Sequence, residues 1–450
     1  MAGIGWKLQR MIDRGSLAGA VGAYLTGVAI TSAPWLLTTA VLTSLRMSAR
    51  SHGGDFGTVE RMLTVIYAVT VVLSAPVHVV VSRYTADRLY DHHLEKIGAP
   101  LRRSLALTLV GFAVVGVAVV LLMHVPLALA LAGAPLTTVI GAQWLMLSVG
   151  GGMSSPGMVL RAFALGAPLS LTGALALDRF AGLGARGYLY GFAAGQLLTL
   201  VVLIQGVARA VPGEADESAR IGPAFREYRL LAASSLAYYV SIWTDKIVVY
   251  LVIGRDAAAQ YAAVAALAWF SVIPAFAWIY VQIETAFYQR FRAFYGDLER
   301  GASLAQLRDG ATDVAVEARR ILRGAALVQA GASGLALLAA PMVVGLAGLT
   351  PDALLPFRLA VVGAALQVMT LLEILLLYYF DLRRDALVIS AALLASEVTM
   401  TLGAWLLRWP PAVGYAVACA LTAAGGLALV RRRLGNILVD TFQSQPFAGA

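Results

Sequence analysis

Five ionisable side chains, His78, Asp245, Lys246, Glu373 and Glu397, stand inside stretches that are otherwise apolar. A charge at mid-bilayer costs on the order of 2.5–3.5 kcal/mol on insertion scales, so each is expected to face a bundle interior or a wet cavity and to meet a partner there. Asp245 and Lys246 are adjacent in Trp243-Thr244-Asp245-Lys246-Ile247. Neighbours on a helix point about 100° apart, so the two cannot share one partner with ideal geometry, and Lys246 is expected to reach Glu373 or Glu397 on another helix. Two chemistries fit this set. Either an interhelical ion pair fixes packing and register, or a protonatable or substrate-contacting group changes partners as something crosses the membrane. His78, two residues after Pro76, is either bonded to a carbonyl freed by the proline bend or a further titrating group.

Tyr238, Tyr239, Trp243 and Tyr250 surround Asp245 and Lys246 on the same helix. Aromatic faces beside fixed polar groups suit a carbohydrate, which presents apolar CH faces and many hydroxyls; they also serve as ordinary bundle packing. The candidate substrate pathway is therefore Tyr24, Thr31, Ser32 and Trp35 from the first apolar stretch, with Tyr239, Trp243, Asp245, Lys246 and Tyr250 from the seventh. The same inspection points away from catalysis. His52 and Asp55 form the one acidic and histidine pair in an outward loop, and two isolated groups are not a site. The five histidines lack ligand spacing, and the single cysteine, Cys419, lies in an apolar stretch as a packing residue, so no metal site and no cofactor is expected. No GxxxxGK[ST] loop is present, which argues against ATP hydrolysis.

The elements that must position these residues are membrane helices. About a dozen apolar stretches run through the 450 residues, 60% of which are hydrophobic, with a mean hydropathy of +0.78. Each is about long enough to cross ~30 Å of hydrocarbon. The spans are predicted at 18–45, 61–82, 104–124, 138–160, 162–178, 187–206, 231–253, 260–283, 324–348, 357–380, 386–407 and 412–430. The expected fold is all-α: a polytopic membrane protein of about twelve helices in two six-helix bundles. About three quarters of the 34 Lys and Arg fall on one side of such a layout, so both termini are expected in the cytoplasm. Because the basic residues follow the loops, the net charge of +9 calls for no nucleic acid. The first apolar run is too long for a cleavable signal.

The predicted organisation is an interfacial amphipathic helix at 1–17, a bundle at 18–206, a cytoplasmic linker at 207–230 with Pro212, Gly213 and Glu214, a second bundle at 231–430, and a tail at 431–450. Pro76 and Pro274 interrupt the second helix of each half, the pattern of a repeat whose halves enclose a hydrated cavity. Gly150-Gly151-Gly152 with Ser154, Ser155, Pro156 and Gly157 is expected to loosen the fourth span. Within a cytoplasmic amphipathic helix at 284–322, Phe287, Phe291, Phe294 and Tyr295 recur on one face. That face is expected to lie on the bilayer or to dock a partner.

Asp245-Lys246, an apolar run, Gly254, Tyr261 and Ala263 are similar to a signature of polysaccharide flippases in the multidrug/oligosaccharidyl-lipid/polysaccharide (MOP) exporter superfamily. The N-terminal Met1-Ala2-Gly3-Ile4-Gly5-Trp6, together with Thr31-Ser32-Ala33-Pro34-Trp35-Leu36 and Glu284-Thr285-Ala286-Phe287-Tyr288, resembles the Pel exopolysaccharide transporter family over nearly the whole chain. The family more often has Phe where Trp6 stands and an acidic residue at Ala286 or Gln289. The resemblance implies a twelve-helix inner-membrane exporter of an amino-sugar polysaccharide. It would work with a cytoplasmic glycosyltransferase and membrane subunits, one of them a cyclic di-GMP sensor. The alternatives are an ion-coupled exporter of lipid-linked sugars or small amphipathic compounds, and a non-transporting scaffold for a glycosyltransferase.

Overall fold

The computed structural model describes residues 10–11, 17–51, 56–153, 156–211 and 216–444. Apart from Arg10 and Met11, the expected N-terminal amphipathic helix lies outside these residues, as do His52 and Asp55, Ser154 and Ser155, and the linker residues Pro212, Gly213 and Glu214. Among the described residues the chain is helical without a strand. The first seven helices are α1 (Leu17–Ser51), α2 (Gly57–Tyr90), α3 (Gly98–Leu122), α4 (Leu127–Met153), α5 (Pro156–Arg179), α6 (Ala185–Ala210) and the short α7 (Gly222–Glu227). The remainder are α8 (Arg229–Val252), α9 (Arg255–Trp269), α10 (Ile273–Gln282), α11 (Tyr288–Glu299), α12 (Leu304–Leu338), α13 (Ala340–Leu346), α14 (Leu354–Tyr379), α15 (Arg383–Leu406), α16 (Pro411–Leu434) and α17 (Ile437–Ser444).

Among the described residues, eleven helical segments are long and apolar enough to cross a membrane, the stretch Arg255–Glu299 counting as one. The expected seventh span, α8, is not among them. Its 24 residues are enough for the distance, but Asp245, Lys246, Ser234, Ser235, Ser241 and Thr244 make it the least apolar candidate. All of these but Lys246 are buried. The polarity of α8 is thus turned inward, where helix neighbours and not lipid receive it.

Two boundaries differ from expectation. The outward loop expected at 125–137 is helical from Leu127, because Leu127–Ala132 alternates the strong helix formers Leu and Ala and Pro135 is accommodated inside α4. The single amphipathic helix expected at 284–322 is a helical hairpin, with α11 and α12 joined by a turn in which Gly301 has φ +70°. A capping box starts α12: Ser303 Oγ accepts the Gln306 N–H, and Gln306 Oε1 accepts the Ser303 N–H at 3.0 Å.

The chain divides into two compact units, one built on Ser32–Leu236 and the other on Ala237–Ala450 together with the part of α1 before Ser32. In the first unit α5 and α6 meet along a seam of small residues. A Cβ at Gly191 would lie 2.0 Å from the Ala174 nitrogen, and one at Gly195 would lie 2.4 Å from the Ser170 nitrogen. Backbones this close gain dispersion contacts that lipid cannot supply. Across α4 and α6, Gln143 donates to the Gln196 carbonyl at 2.7 Å. The chain leading to α8 is held to the same unit: Arg102 pairs with Glu217, Arg103 donates to the Ala219 carbonyl at 2.8 Å, and the Tyr228 hydroxyl donates to Asp87. Burial and the Asp87 carboxylate push the Tyr228 phenol above its ordinary pKa.

In the second unit α14, α15 and α16 pack together, with α9 against α14 and the α11–α12 hairpin below. The segment Arg255–Glu299 changes helical type twice, with a 3₁₀ turn at Phe270–Val272 before Pro274 and a π turn at Ile283–Phe287. The proline denies one backbone bond, and the π turn takes up one extra residue without ending the helix.

Candidate functional site

Two of the second unit's buried carboxylates, Asp245 and Glu397, lie at α8 and beside it. Asp245 is fully buried, and its Oδ2 accepts the Tyr261 hydroxyl of α9 at 2.8 Å. Lys246 Nζ lies 2.9 Å from Asp245 Oδ1 and donates to the Ile242 carbonyl one turn back at 2.9 Å. The contact with Oδ1 is an ion pair and not a directed hydrogen bond, since Oδ1 has no hydrogen-bond partner. This is the consequence of two side chains leaving the helix about 100° apart. The ammonium also lies 5.3 Å from the centroid of the Tyr415 ring on α16, within cation–π range. Tyr415 in turn donates to Gln367 Oε1 on α14 at 2.7 Å. One ammonium and one carboxylate thereby tie four helices together.

The expected ion pair from Lys246 to Glu373 or Glu397 is not the one that forms. The lysine chain is long enough to fold back onto its own helix, where a carboxylate and a carbonyl are both in reach. Glu397 on α15 is fully buried and close enough to feel the charges of Asp245 and Lys246. Cys419 Sγ donates weakly to its Oε1 at 3.9 Å, and its Oε2 has no hydrogen-bond partner. Glu373 on α14 is buried against α16, where a Cβ on Gly426 would come within 2.1 Å of Oε2, itself without a partner. Cys419 and Gly426 are about 10 Å apart along α16, so Glu373 stands two turns from the Lys246 cluster.

The remaining candidates separate. Tyr24 stacks on Trp278 of α10 with ring centroids 5.6 Å apart and planes 5° from parallel, and Gln282 Nε2 donates to its hydroxyl at 3.0 Å. Thr31 donates to the Gly27 carbonyl at 2.9 Å. Tyr239 meets Tyr238 edge-on at 5.7 Å, and the half-buried Trp243 has an indole N–H without a partner. Tyr250 does not join them: 54% exposed, it lies with Ile247 and Leu251 on the exposed face of α8. Ser32, Trp35 and His78 belong to the first unit, where Ser148 donates to the His78 carbonyl at 3.3 Å.

The aromatic face at 287–295 is partly taken up by packing within the second unit. Phe287 and Phe294 are buried, and Phe291 packs 4.5 Å from Tyr295, 5.7 Å from Tyr379 and 6.1 Å from Phe380 at the end of α14. With α11 and α12 folded together, part of the apolar stripe packs against the end of α14. Tyr415, Gln367, Trp278 and Gln282 did not stand out in the sequence. Their signal would have been a hydroxyl, amide or indole N–H in an apolar span, which needs a partner wherever it is buried.

The arrangement holds and orients charge in the second unit. Among the described residues no group of three or more His, Cys, Asp or Glu side chains could hold a metal ion. No curated protein matches the chain. Solved structures show its fold. A MATE transporter in the straight conformation has a TM-score of 0.65 at 14% identity, covering 93% of this chain and 96% of its own. An outward-facing multidrug resistance MATE family transporter of the MOP superfamily gives 0.65 at 13% identity with the same coverage. A MOP superfamily transporter from Pyrococcus furiosus gives 0.67 at 14% identity, again with 93% and 96% covered. With the fold of a polytopic transporter and a family model matching residues 1–442, the chain belongs to the PelG exopolysaccharide exporter (EPS-E) family.

Proposed function

We propose that this chain carries an amino-sugar exopolysaccharide of the Pel type from the cytoplasm across the bacterial inner membrane to the periplasm, as the transport subunit of a synthase complex. The observation that carries the reading is the match to an exopolysaccharide exporter family over residues 1–442. The fold supports it, because the helices are those of a transporter and the buried charges are arranged for position. In this reading Asp245, Lys246, Tyr261 and Tyr415 hold α8, α9, α14 and α16 in register, and the half-buried Tyr24, Tyr239 and Trp243 supply aromatic faces for sugar rings. The complex would include a cytoplasmic glycosyltransferase and a membrane subunit that senses cyclic di-GMP, with both termini of this chain in the cytoplasm.

The test is polymer appearing outside cells that carry the complete synthesis machinery. The intact chain is compared with a deletion and with Trp243→Ala and Lys246→Ala, each at matched membrane abundance. Polymer trapped inside the deletion strain and reduced outside both variants is the expected result. Secretion that persists in the deletion strain overturns the transporter reading.

A further inference from the structure

The C-terminal helix α17 has two unlike faces. Ile437 and Thr441 are buried, α17 packs against α12, and Arg433 Nη1 holds Asp440 at 3.2 Å while its Nη2 reaches Asp385 at 3.2 Å. The opposite face carries Val439 and Phe442, 54% and 41% exposed, three residues apart and therefore side by side. An eight-residue helix fastened by the half-buried Arg433 and its two carboxylates has no reason to keep two apolar side chains outward in water.

What surrounds that face is positive. Arg431 and Arg432, in the last turn of α16, are exposed and have no ion pair among the described residues; the same is true of Arg292, Arg319 and Arg323 on the α11–α12 hairpin. These groups lie at one height. Ile437 and Thr441 line a small cavity with Phe380, Phe380 packs on Phe291 at 6.1 Å, and Arg290, next to Phe291, pairs with Glu317 of α12 at 3.2 Å. Counting back from the 82% exposed Leu338 at 1.5 Å per residue, Arg323 and Arg319 are about 22 and 28 Å away along α12. Arg319 thus stands close to one hydrocarbon thickness from Leu338 and Arg323 about one helical turn nearer, which puts the pair around headgroup level.

We propose that α17 and the arginines level with it form a clamp for anionic phospholipid, with Val439 and Phe442 dipping to the acyl boundary and the guanidiniums holding phosphodiester headgroups. Apolar side chains rimmed by free arginines at this depth match an anionic bilayer interface on both counts, and guanidinium forks suit phosphate oxygens.

The test extracts the full-length chain from vesicles of equimolar phosphatidylcholine and phosphatidylglycerol and measures the ratio of the two lipids retained. Phosphatidylglycerol enriched over phosphatidylcholine is expected, falling as salt rises because exposed charges are screened. Arg431→Gln with Arg432→Gln should cut the enrichment by roughly fivefold per arginine, and the Lys pair at the same positions should keep most of it. Val439→Ser with Phe442→Ser should lower retention of both lipids alike. Equal retention of the two lipids by the intact protein, or enrichment unchanged in the Gln pair, overturns the clamp. Release of phosphatidylglycerol by millimolar inorganic phosphate at constant ionic strength also overturns it, in favour of a free-phosphate site. The salt and competition arms use the intact protein, so a variant that fails to fold does not remove the test.

Discussion

At the scale of single residues the decisive feature is a carboxylate with no exposure whose compensation comes from two neighbours, Lys246 at 2.9 Å and the Tyr261 hydroxyl at 2.8 Å. Lys246→Ala leaves Asp245 as a buried charge with one hydrogen bond, a loss of about 3–5 kcal/mol. Tyr261→Phe removes the hydrogen bond and keeps the ion pair, at about 1–3 kcal/mol. Asp245→Asn with Lys246→Met removes both charges together and should recover most of the lysine loss, because the desolvation of the pair is removed with it. Thermal unfolding of the purified variants checks the order. A Lys246→Ala protein as stable as the parent would mean that the pair does not hold these helices. If the neutral double variant is stable and does not export, the charges have a role in export besides the structural one. The pair was legible in the sequence because two charges in an apolar run have no cheap explanation. Its partners were not, since the sequence does not say that a lysine folds back on its own helix or which faces bring Tyr415 and Gln367 beside it.

At the scale of elements, two predictions rest on how tightly and in what register the helices run. On α6, Gly187, Gly191 and Gly195 repeat at four-residue spacing and face α5. Gly191→Val drives a branched side chain into the Ala174 backbone, so α5 and α6 must separate; about 1–3 kcal/mol is the floor for such overpacking, and loss of folded protein is the expected outcome. Gly331→Ala, inside α12 with nothing within 4 Å of the added methyl, should be neutral or stabilising by about 0.5–1 kcal/mol. Equal unfolding temperatures for the two variants would contradict the seam. The π turn at Ile283–Phe287 gives the second prediction. Because it absorbs one residue, deleting Ala286 should restore α-helix and leave Phe291 and Phe294 facing α14 and α12, whereas deleting Ala293 in the regular part of α11 turns everything after it by about 100°. Protease resistance of the hairpin distinguishes them, and similar damage from both deletions refutes the register argument. Apolar length identified nearly every span. The start of α4 was hidden by Pro135, which usually marks a loop, and the hairpin by a stripe that looked equally fit for lipid; in each case a tertiary neighbour decided, and neighbours lie outside local pattern.

At the scale of the whole molecule, α8 decides the sidedness of the chain. Among the described residues eleven segments are apolar enough to cross on their own account; with α8 the crossings are even, and without it they are odd. An odd count would place the N- and C-termini in different compartments and would send the arginines of the α11–α12 hairpin, α15 and α16 to the side opposite the basic loops of the first unit. The threefold Lys and Arg bias would then be lost, against the rule that orients such chains. The burial of Asp245, Ser234, Ser235, Ser241 and Thr244 removes the objection to crossing, because the polar groups that lower the apolarity of α8 are enclosed while Ile247, Tyr250 and Leu251 are exposed. The non-crossing alternative also leaves the exposed apolar residues Ile247 and Leu251 outside the hydrocarbon that would cover them. Reporters that are active on only one side of the membrane, fused before Met1 and after Ala450, should therefore give the same cytoplasmic signal, and one inserted at Gly182, in the turn between α5 and α6, should give the opposite one. Signals that differ between the two termini would show that α8 does not cross, and the Asp245–Lys246 pair would then have to be read as part of an interfacial helix.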